Sequence, residues 1–291
     1  MPRTVALVTD STALLPAATV AERDVVVVPL QVVLGSRAYD DGRDVEASAA
    51  TVADALRRWT PVSTSRPTPA VFAEVYERAA RDGAEEVLSI HLSGALSGTY
   101  ESAQLAARQA PIPVRAVDTR QLGMGVGYAV LTAADVLDRG GSAEEAAGAA
   151  LARADATTSL FYVDTLEYLR RGGRIGTAAA LLGSALAVKP LLQIVDGAVA
   201  TREKVRTSAR ALSRLEELAV AAAGAGPVEV WVAHLANRER ADLLAGHLDE
   251  RLGDRLGDRL GAGVRVPVCE VGPVIGAHVG PGMVAAVVSP R

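Results

Sequence analysis

Residues 86–100 read Glu-Val-Leu-Ser-Ile-His-Leu-Ser-Gly-Ala-Leu-Ser-Gly-Thr-Tyr, an apolar run that passes into small hydroxyl residues and glycines. The apolar run predicts a buried strand, and the pattern of residues 100–109 predicts a helix. The first-turn amides of a helix have no partners inside the helix, and that end of its dipole is positive. The stretch therefore predicts a site for an anionic head group at the junction of strand and helix.

The rest of the first half alternates strand-like and helix-like segments. Strand-like runs occupy residues 5–8, 25–34, 87–92 and 114–117, and helix-like runs occupy residues 47–58, 70–81, 100–109 and 126–139. This alternation predicts a mainly parallel sheet with helices on both faces. Functional loops of such sheets lie at the carboxyl ends of the strands. We therefore expect the polar loops at residues 9–12, 91–99 and 118–119 to share one edge.

The second half, from residue 158, predicts a mixed sheet. Asp196-Gly197 separates two apolar runs, which is the strongest short signal for a hairpin. Further segments are a helix at 207–223, a strand at 228–235, a helix capped by Asn237, and strands at 264–271 and 283–288. We expect an α/β protein of two domains, with a mainly parallel sheet in residues 1–157 and a mixed sheet in residues 158–291.

Composition excludes several classes of function. The net charge is −4 and the arginines are interspersed with acids, so nothing draws the chain to nucleic acid or to an anionic membrane. The single cysteine, Cys269, excludes an internal disulfide and a cysteine-built metal site. No run approaches the ~20 apolar residues of a membrane span, and the N-terminus enters a strand-like segment directly. We expect a cytoplasmic protein with no stable membrane insertion.

One further segment, residues 251–260, repeats Arg-Leu-Gly-Asp in tandem. Its glycines weaken a helix, so the repeat predicts a surface segment, and no function is assigned to it.

Six segments together resemble one protein family. They read Val-Thr-Asp-Ser-Thr-Ala at 8–13, Thr-Ser-Arg-Pro-Thr at 64–68, Leu-Ser-Gly-Ala-Leu-Ser-Gly-Thr-Tyr at 92–100, Val-Asp-Thr at 117–119, Tyr-Leu-Arg-Arg-Gly-Gly-Arg-Ile at 168–175 and Gly-Ala-His-Val-Gly-Pro-Gly at 276–282. Their order and their spread over the chain resemble the DegV family. The resemblance implies a two-domain α/β protein that binds a long-chain fatty acid. It also implies the acyl-binding subunit of a bacterial fatty acid kinase, whose separate ATP-binding subunit forms an acyl phosphate for phospholipid synthesis.

The same resemblance implies which residues hold the fatty acid carboxylate. Thr64 and Ser97 are the leading hydroxyl contacts, and Ser93, Ser65 and His278 are further candidates. Each of the hydroxyl residues has the alternative of capping a helix. His278 lies in a glycine-rich segment that predicts a turn; protonated it would pair with the carboxylate, and neutral it would donate one N–H. The alternative for His278 is a purely structural histidine.

Two basic clusters in the second half are candidates for docking the kinase subunit or meeting the γ-phosphate of its ATP. One cluster contains Arg170, Arg171 and Arg174, and the other contains Arg202, Lys204 and Arg206. The residues of the second cluster alternate, so they share one face if their strand continues. The alternative for both clusters is a solvated surface.

No motif of a self-sufficient enzyme is present. The chain has no Gly-x-x-x-x-Gly-Lys-Ser/Thr loop, and residues 94–98 carry their serine one place too late for a Gly-x-Ser-x-Gly elbow. With no such motif present, the family resemblance implies a lipid-binding carrier, and we expect neither cofactor nor metal. The alternatives are a serine hydrolase for a lipid or acyl substrate, using Ser97, His278 and Asp10 or Asp118, and a structural module with a lipid-filled core.

Overall fold

The computed structural model describes residues 3–181, 189–257 and 265–291. The strands are β1 (Val5–Asp10), β2 (Val25–Val28), β3 (Gln31–Leu34), β4 (Arg37–Asp40), β5 (Val62–Ser65), β6 (Glu86–His91), β7 (Val114–Asp118), β8 (Thr158–Tyr162), β9 (Lys189–Val195), β10 (Ala198–Val205), β11 (Val228–His234), β12 (Val268–Glu270) and β13 (Val284–Pro290). The helices are α1 (Ala17–Glu22), α2 (Ala49–Arg57), α3 (Pro69–Arg81), α4 (Thr99–Ala107), α5 (Met124–Asp138), α6 (Ala143–Ala156), α7 (Glu167–Arg171), α8 (Ser208–Ala222), α9 (Arg238–Leu252) and α10 (Pro273–Val279).

The chain divides into two compact units. The first unit consists of residues 1–31 and 65–155, and the second consists of residues 32–64 and 156–291. The sequence predicts a boundary at residue 157 with everything before it in one domain. The structure differs for residues 32–64, because α2 in that segment packs against α10.

The first unit is built on a four-stranded sheet of order β2-β1-β6-β7, in which every pairing is parallel. Successive side chains of a strand point to opposite faces, and both faces are covered. Leu88 and Ile90 of β6 pack in one core with α5 and α6, whereas Val87 packs in another with Phe72 and Tyr76 of α3. The predicted parallel sheet with helices on both faces is confirmed.

The carboxyl edge of this sheet carries the polar loops that the sequence predicts there. Asp10 ends β1, His91 ends β6 and Asp118 ends β7, and His91 lies opposite Asp118 in the register. The chain moves outward from β1 to β2 on one side and from β6 to β7 on the other. The switch in direction lies between β1 and β6, and ligands of open α/β sheets bind at such points.

A buried network holds the start of the loop after β6. The carboxylate Oδ2 of Asp10 accepts from His91 Nδ1 at 3.0 Å and from the Leu92 amide at 3.1 Å. On the other side of the ring, His91 Nε2 lies 2.7 Å from Ser89 Oγ, and the Tyr76 hydroxyl donates to that oxygen at 2.9 Å. Because all four side chains are buried, the network fixes where the loop leaves the sheet.

The second unit contains a six-stranded sheet of order β10-β9-β8-β13-β11-β12, and a three-stranded sheet has the order β4-β3-β5. In the larger sheet only β11 and β12 run parallel, so the predicted mixed sheet is confirmed. Helices α8 and α9 cover one face, where Leu215 and Leu248 pack against Val230 and Val288. The predicted hairpin is present at Asp196-Gly197, whose φ angles of 51° and 77° fit a type I′ turn.

Several local predictions differ from the structure. The single run predicted at 25–34 is two strands, because Pro29 lies between β2 and β3 and supplies no N–H to a ladder. Helix α6 is absent from the prediction, since its alanines give little contrast between apolar and polar faces. Within the Arg-Leu-Gly-Asp repeat, α9 continues to Leu252 and a 3₁₀ turn covers Gly253–Arg255. Residues 258–260 of the repeat lie outside the described residues.

Candidate functional site

The loop between β6 and α4 is held by its own hydrogen bonds. Every backbone N–H from residue 92 to residue 97 has an acceptor within the first unit. The acceptors, in chain order, are Asp10 Oδ2, Gln121 O, Asp118 Oδ2, Ser93 Oγ and, for the last two amides, Ser93 O. The amides of the loop are therefore occupied, and recognition of an anion there depends on side chains and on the first turn of α4.

The two serines of the loop have different roles in this arrangement. Ser93 is fully buried, and its hydroxyl accepts from the Ala95 amide at 3.2 Å, as a local turn residue does. Ser97 is half-buried, and its hydroxyl lies 2.9 Å from that of Thr99. The N-cap position of α4 is Gly98, so Ser97 does not cap this helix. One proton of the Ser97–Thr99 hydroxyl pair is available to a further acceptor, because only one is used between them.

The first unit does not activate Ser97 as a nucleophile. Asp10 bonds to His91, and Asp118 accepts from the amides of Gly94 and Arg120. No histidine in the described part of this unit hydrogen-bonds to Ser97. The Ser89–His91–Asp10 chain has the order of a hydrolase triad, yet Ser89 is fully buried. The hydrolase alternative has no support from these contacts.

The second unit contains a cavity of about 430 Å³, within the range of small-molecule sites. Its wall combines apolar residues with hydroxyls, two arginines and an imidazole: Gly35, Leu56, Trp59, Thr60, Pro61, Val62, Ser63, Thr64, Tyr168, Arg171, Gly172, Arg174, Ala277 and His278. Thr64 comes from β5 and His278 from α10, and Thr64 Oγ1 lies 2.9 Å from His278 Nε2. The two residues of this unit that the sequence singles out as carboxylate contacts are thus within hydrogen-bond distance of each other.

His278 lies in a helix and not in the predicted turn. Helix α10 begins with Pro273, a favoured first helical residue, and ends before Gly280, whose φ is 74°. His278 is on the last turn, where its ring packs on Gly172. A Cβ at position 172 would overlap Nδ1 and lie 2.8 Å from Cε1, so only glycine leaves room for the ring.

The imidazole of His278 is neutral at physiological pH. Burial, and secondly the positive charge of Arg174, lower its pKa from 6.5 to about 4. Its Nδ1 is buried and has no hydrogen-bond partner among the described residues. The expectation that a protonated His278 pairs with a carboxylate is therefore not supported, and the neutral form remains.

The remaining hydroxyl candidate, Ser65, is exposed, and its hydroxyl donates to the Arg66 carbonyl at 3.3 Å. Capping does not explain Ser65 or Thr64, because Thr68 occupies the N-cap position of α3 and makes no side-chain cap.

The first basic cluster is engaged in contacts of its own. Arg170 binds Glu167 through Nε at 2.8 Å and Nη2 at 2.7 Å, and Arg171 Nε adds a third bond at 2.7 Å. Arg170 first and Arg171 second lower the pKa of Glu167 to about 2. Arg171 also stacks on the Trp59 ring at 4.4 Å, and Arg174 Nη1 donates to the Gly172 carbonyl at 2.5 Å.

The second basic cluster is exposed and lies in and just after strand β10. Strand β10 ends at Val205, before Arg206, and its register shifts between Thr201 and Glu203, where Arg202 lies. The strand therefore does not continue through Arg206, and a face shared by all three residues stays a prediction. Arg206 and Lys204 line a second cavity of about 520 Å³.

The described residues contain neither a membrane-spanning helix nor a cluster of metal-ligating side chains. None of their helices has the length and hydropathy needed to cross a bilayer. In the same residues, no group of three or more His, Cys, Asp or Glu side chains is placed to hold a metal ion.

Comparisons with known proteins match the whole chain. The family model described as "Uncharacterised protein, DegV family" matches residues 4–291. A DegV domain-containing protein of Streptomyces coelicolor is 52% identical over 100% of both chains. Another, of Halalkalibacterium halodurans, is 36% identical over 96% of each chain.

Solved structures agree with this match. A DegV family protein of Thermus thermophilus described by its fatty acid binding is 34% identical, covers 99% of both chains and superposes with a TM-score of 0.87. DegV of Bacillus subtilis, described as a fatty acid binding protein, is 28% identical, covers 99% of this chain and 100% of its own, and also gives a TM-score of 0.87. The chain therefore belongs to the DegV family, and it has the mixed α/β fold of these fatty-acid-binding neighbours.

Proposed function

We propose that this chain binds a long-chain fatty acid and presents it to a separate ATP-binding kinase subunit. That subunit would form the acyl phosphate that enters phospholipid synthesis. The observation that carries the proposal is the Thr64–His278 hydrogen bond at the wall of a 430 Å³ cavity, in a chain whose solved neighbours are described as fatty-acid-binding.

The tautomer of His278 determines which group donates in this hydrogen bond. In this proposal the neutral ring carries its proton on Nε2, which leaves the buried Nδ1 as an unprotonated acceptor. Nε2–H then donates to Thr64 Oγ1, and the hydroxyl proton of Thr64 is left for an acceptor in the cavity. His278 is thus a positioning residue that makes Thr64 a donor to a carboxylate.

The acyl chain supplies most of the affinity in this proposal. Burial of each CH₂ contributes ~0.8 kcal/mol, so a long chain offers ~10 kcal/mol before the costs of ordering and association. A hydrogen bond to a carboxylate adds about 1.5–3 kcal/mol. The hydroxyl groups therefore set the orientation of the head group, while the tail sets the strength of binding.

Ser97, Ser93 and Ser65 of the first unit stay candidates that rest on the family resemblance. Ser97 is the strongest of them, because its hydroxyl pair with Thr99 has a proton to donate. The hydroxyl of Ser93 already serves the loop.

The kinase partner also rests on the family resemblance, and the exposed arginines are the candidate contacts. Arg170 and Arg174 are occupied by Glu167 and by the Gly172 carbonyl. Arg202 and Arg206 are exposed, and Arg206 forms no ion pair in the described part of the chain. We propose Arg206 as the principal docking residue, because its charge is available to an acidic partner.

We expect purified protein to carry a fatty acid that exchanges with added fatty acid. Lipid extracted after denaturation is identified by mass spectrometry, and exchange is followed with an isotopically labelled acid. An empty protein that does not bind the labelled acid would contradict the proposal. A bound lipid that never exchanges would indicate a structural core lipid.

We expect Thr64→Val to weaken fatty acid binding roughly 10- to 100-fold, because it removes a donor to a charged group at nearly constant volume. Thr64→Ser restores the hydroxyl and should recover most of the affinity. Thr60→Val is the matched control, since Thr60 lines the same cavity and the hydrogen bond to His278 comes from Thr64. Titration calorimetry measures all four proteins, and equal affinities for wild type and Thr64→Val would exclude the role of Thr64.

His278 predicts a pH dependence of stability. Between pH 4 and 6.5 the unfolded chain protonates this ring and the folded chain does not, because burial and Arg174 lower the folded pKa to about 4. Its stabilising contribution is therefore complete above pH 6.5 and is lost as the pH falls toward 4. We expect the ligand-free wild type to lose about 3 kcal/mol more than His278→Gln over this range. Urea unfolding measures both proteins, and parallel pH profiles would refute the assignment.

We expect Arg206→Glu to raise the apparent KM of the kinase subunit for the loaded carrier roughly tenfold, since it reverses a docking charge. Fatty acid affinity should not change. Arg115→Glu, an exposed substitution on β7, is the control. Acyl phosphate formation from labelled fatty acid and ATP is the assay, and an unaltered KM for Arg206→Glu would remove Arg206 from the docking surface.

A further inference from the structure

The side chain of Arg66 rests on the backbone of Gly98, next to Ser97. A Cβ at position 98 would overlap Nη1 of Arg66 and lie 2.7 Å from Cζ and 2.9 Å from Cδ. The φ of Gly98 is −73°, which any residue adopts. A larger residue at this position would therefore displace the guanidinium, the far end of an exposed side chain, although the backbone conformation admits any residue.

The charge of Arg66 has no counter-ion in the described part of the chain. Its one hydrogen bond runs from Nη1 to the Gly98 carbonyl at 3.4 Å, longer than a usual N–H···O bond. The guanidinium presents five N–H donors, so most of its donor capacity is unused. An arginine that served only as a surface ion pair would have a carboxylate beside it, as Arg170 has in Glu167.

The surroundings of Arg66 are also rich in donors. The hydroxyl pair of Ser97 and Thr99 has a proton to give, and α4 begins at Thr99 with the positive end of its dipole. A cation is unfavourable at that end of a helix unless an anion lies close to both. The exposed guanidinium therefore lies beside hydroxyl donors and a helix N-terminus, and an anion bound there would be attracted by all three.

We propose that Arg66 is a specificity-determining residue for the head group: it makes a charge-assisted contact with the carboxylate recognised at Ser97. This inference rests on the proposed fatty acid binding and deepens it. Neutral hydroxyl groups donate to a carboxylate, an ester or an alcohol oxygen, and they distinguish the ionised group less strongly than a charged donor does. A guanidinium forms its strongest hydrogen bonds with an ionised acid, so Arg66 selects the ionised head group over uncharged acyl compounds.

The test compares a long-chain fatty acid with the fatty alcohol of the same chain length. For the wild type we expect the acid to bind more tightly at low salt, and this preference to fall as salt is added. Arg66→Gln keeps a planar N–H donor on a shorter side chain and removes the charge. We expect it to raise the Kd of the acid roughly tenfold or more and to leave the Kd of the alcohol unchanged.

A double-mutant cycle tests whether the contact between Arg66 and Gly98 positions the guanidinium. Gly98→Ala displaces the guanidinium, so it should weaken acid binding as Arg66→Gln does. In the presence of Arg66→Gln we expect Gly98→Ala to add little, because the two substitutions remove one interaction. Additive losses would overturn the role of this contact.

These measurements distinguish a failure of fatty acid binding from a failure of the role of Arg66. A wild type that binds neither acid nor alcohol refutes the proposed function, and the role of Arg66 with it. A wild type that binds the acid while Arg66→Gln binds it equally well at low salt overturns only the role of Arg66. An unchanged preference for acid over alcohol in Arg66→Gln does the same.

Discussion

The burial of the Asp10 carboxylate is the constraint on which the first unit depends. A buried charge is tolerated only when hydrogen bonds satisfy it. The donors to this carboxylate are the Thr12 amide and hydroxyl, His91 Nδ1 and the Leu92 amide. Because they come from the ends of β1 and β6, satisfying one charge brings two strand ends together. The position of the loop that carries Ser93 and Ser97 follows from this electrostatic requirement.

The rings of His91 and His278 have different surroundings. His91 has a partner on each nitrogen, Asp10 on one side and Ser89 on the other, so its ring is fixed in a closed chain. His278 has Thr64 on one nitrogen only. His91 holds a loop in place. His278 has one nitrogen without a hydrogen-bond partner among the described residues, and in our proposal its other nitrogen orients the Thr64 hydroxyl toward a ligand.

Local patterns in the sequence were enough to predict the parallel sheet, the hairpin at Asp196-Gly197 and the strand-to-helix junction around Ser97. These features depend on neighbouring residues and their periodicity. The features that were not predicted depend on distant contacts. Residues 32–64 join the second unit through α10, and the Asp10–His91 bond links residues 81 positions apart. The contact between Arg66 and Gly98 joins residues 32 positions apart, and the local sequence does not indicate it. The backbone conformation of Gly98 does not require glycine either.

Trp59 gives the second unit an optical property. Its indole lies at the cavity wall beneath Arg171 and is 63% exposed. The only other tryptophan in the sequence, Trp231, is buried, and its Nε1–H points at the sulfur of Cys269. The indole of Trp59 is exposed to solvent and that of Trp231 is buried. We therefore expect the two to differ in emission wavelength and in how easily a dissolved quencher reaches them. Because Trp59 lines the cavity, we expect a ligand bound there to change the intrinsic fluorescence of the unlabelled chain.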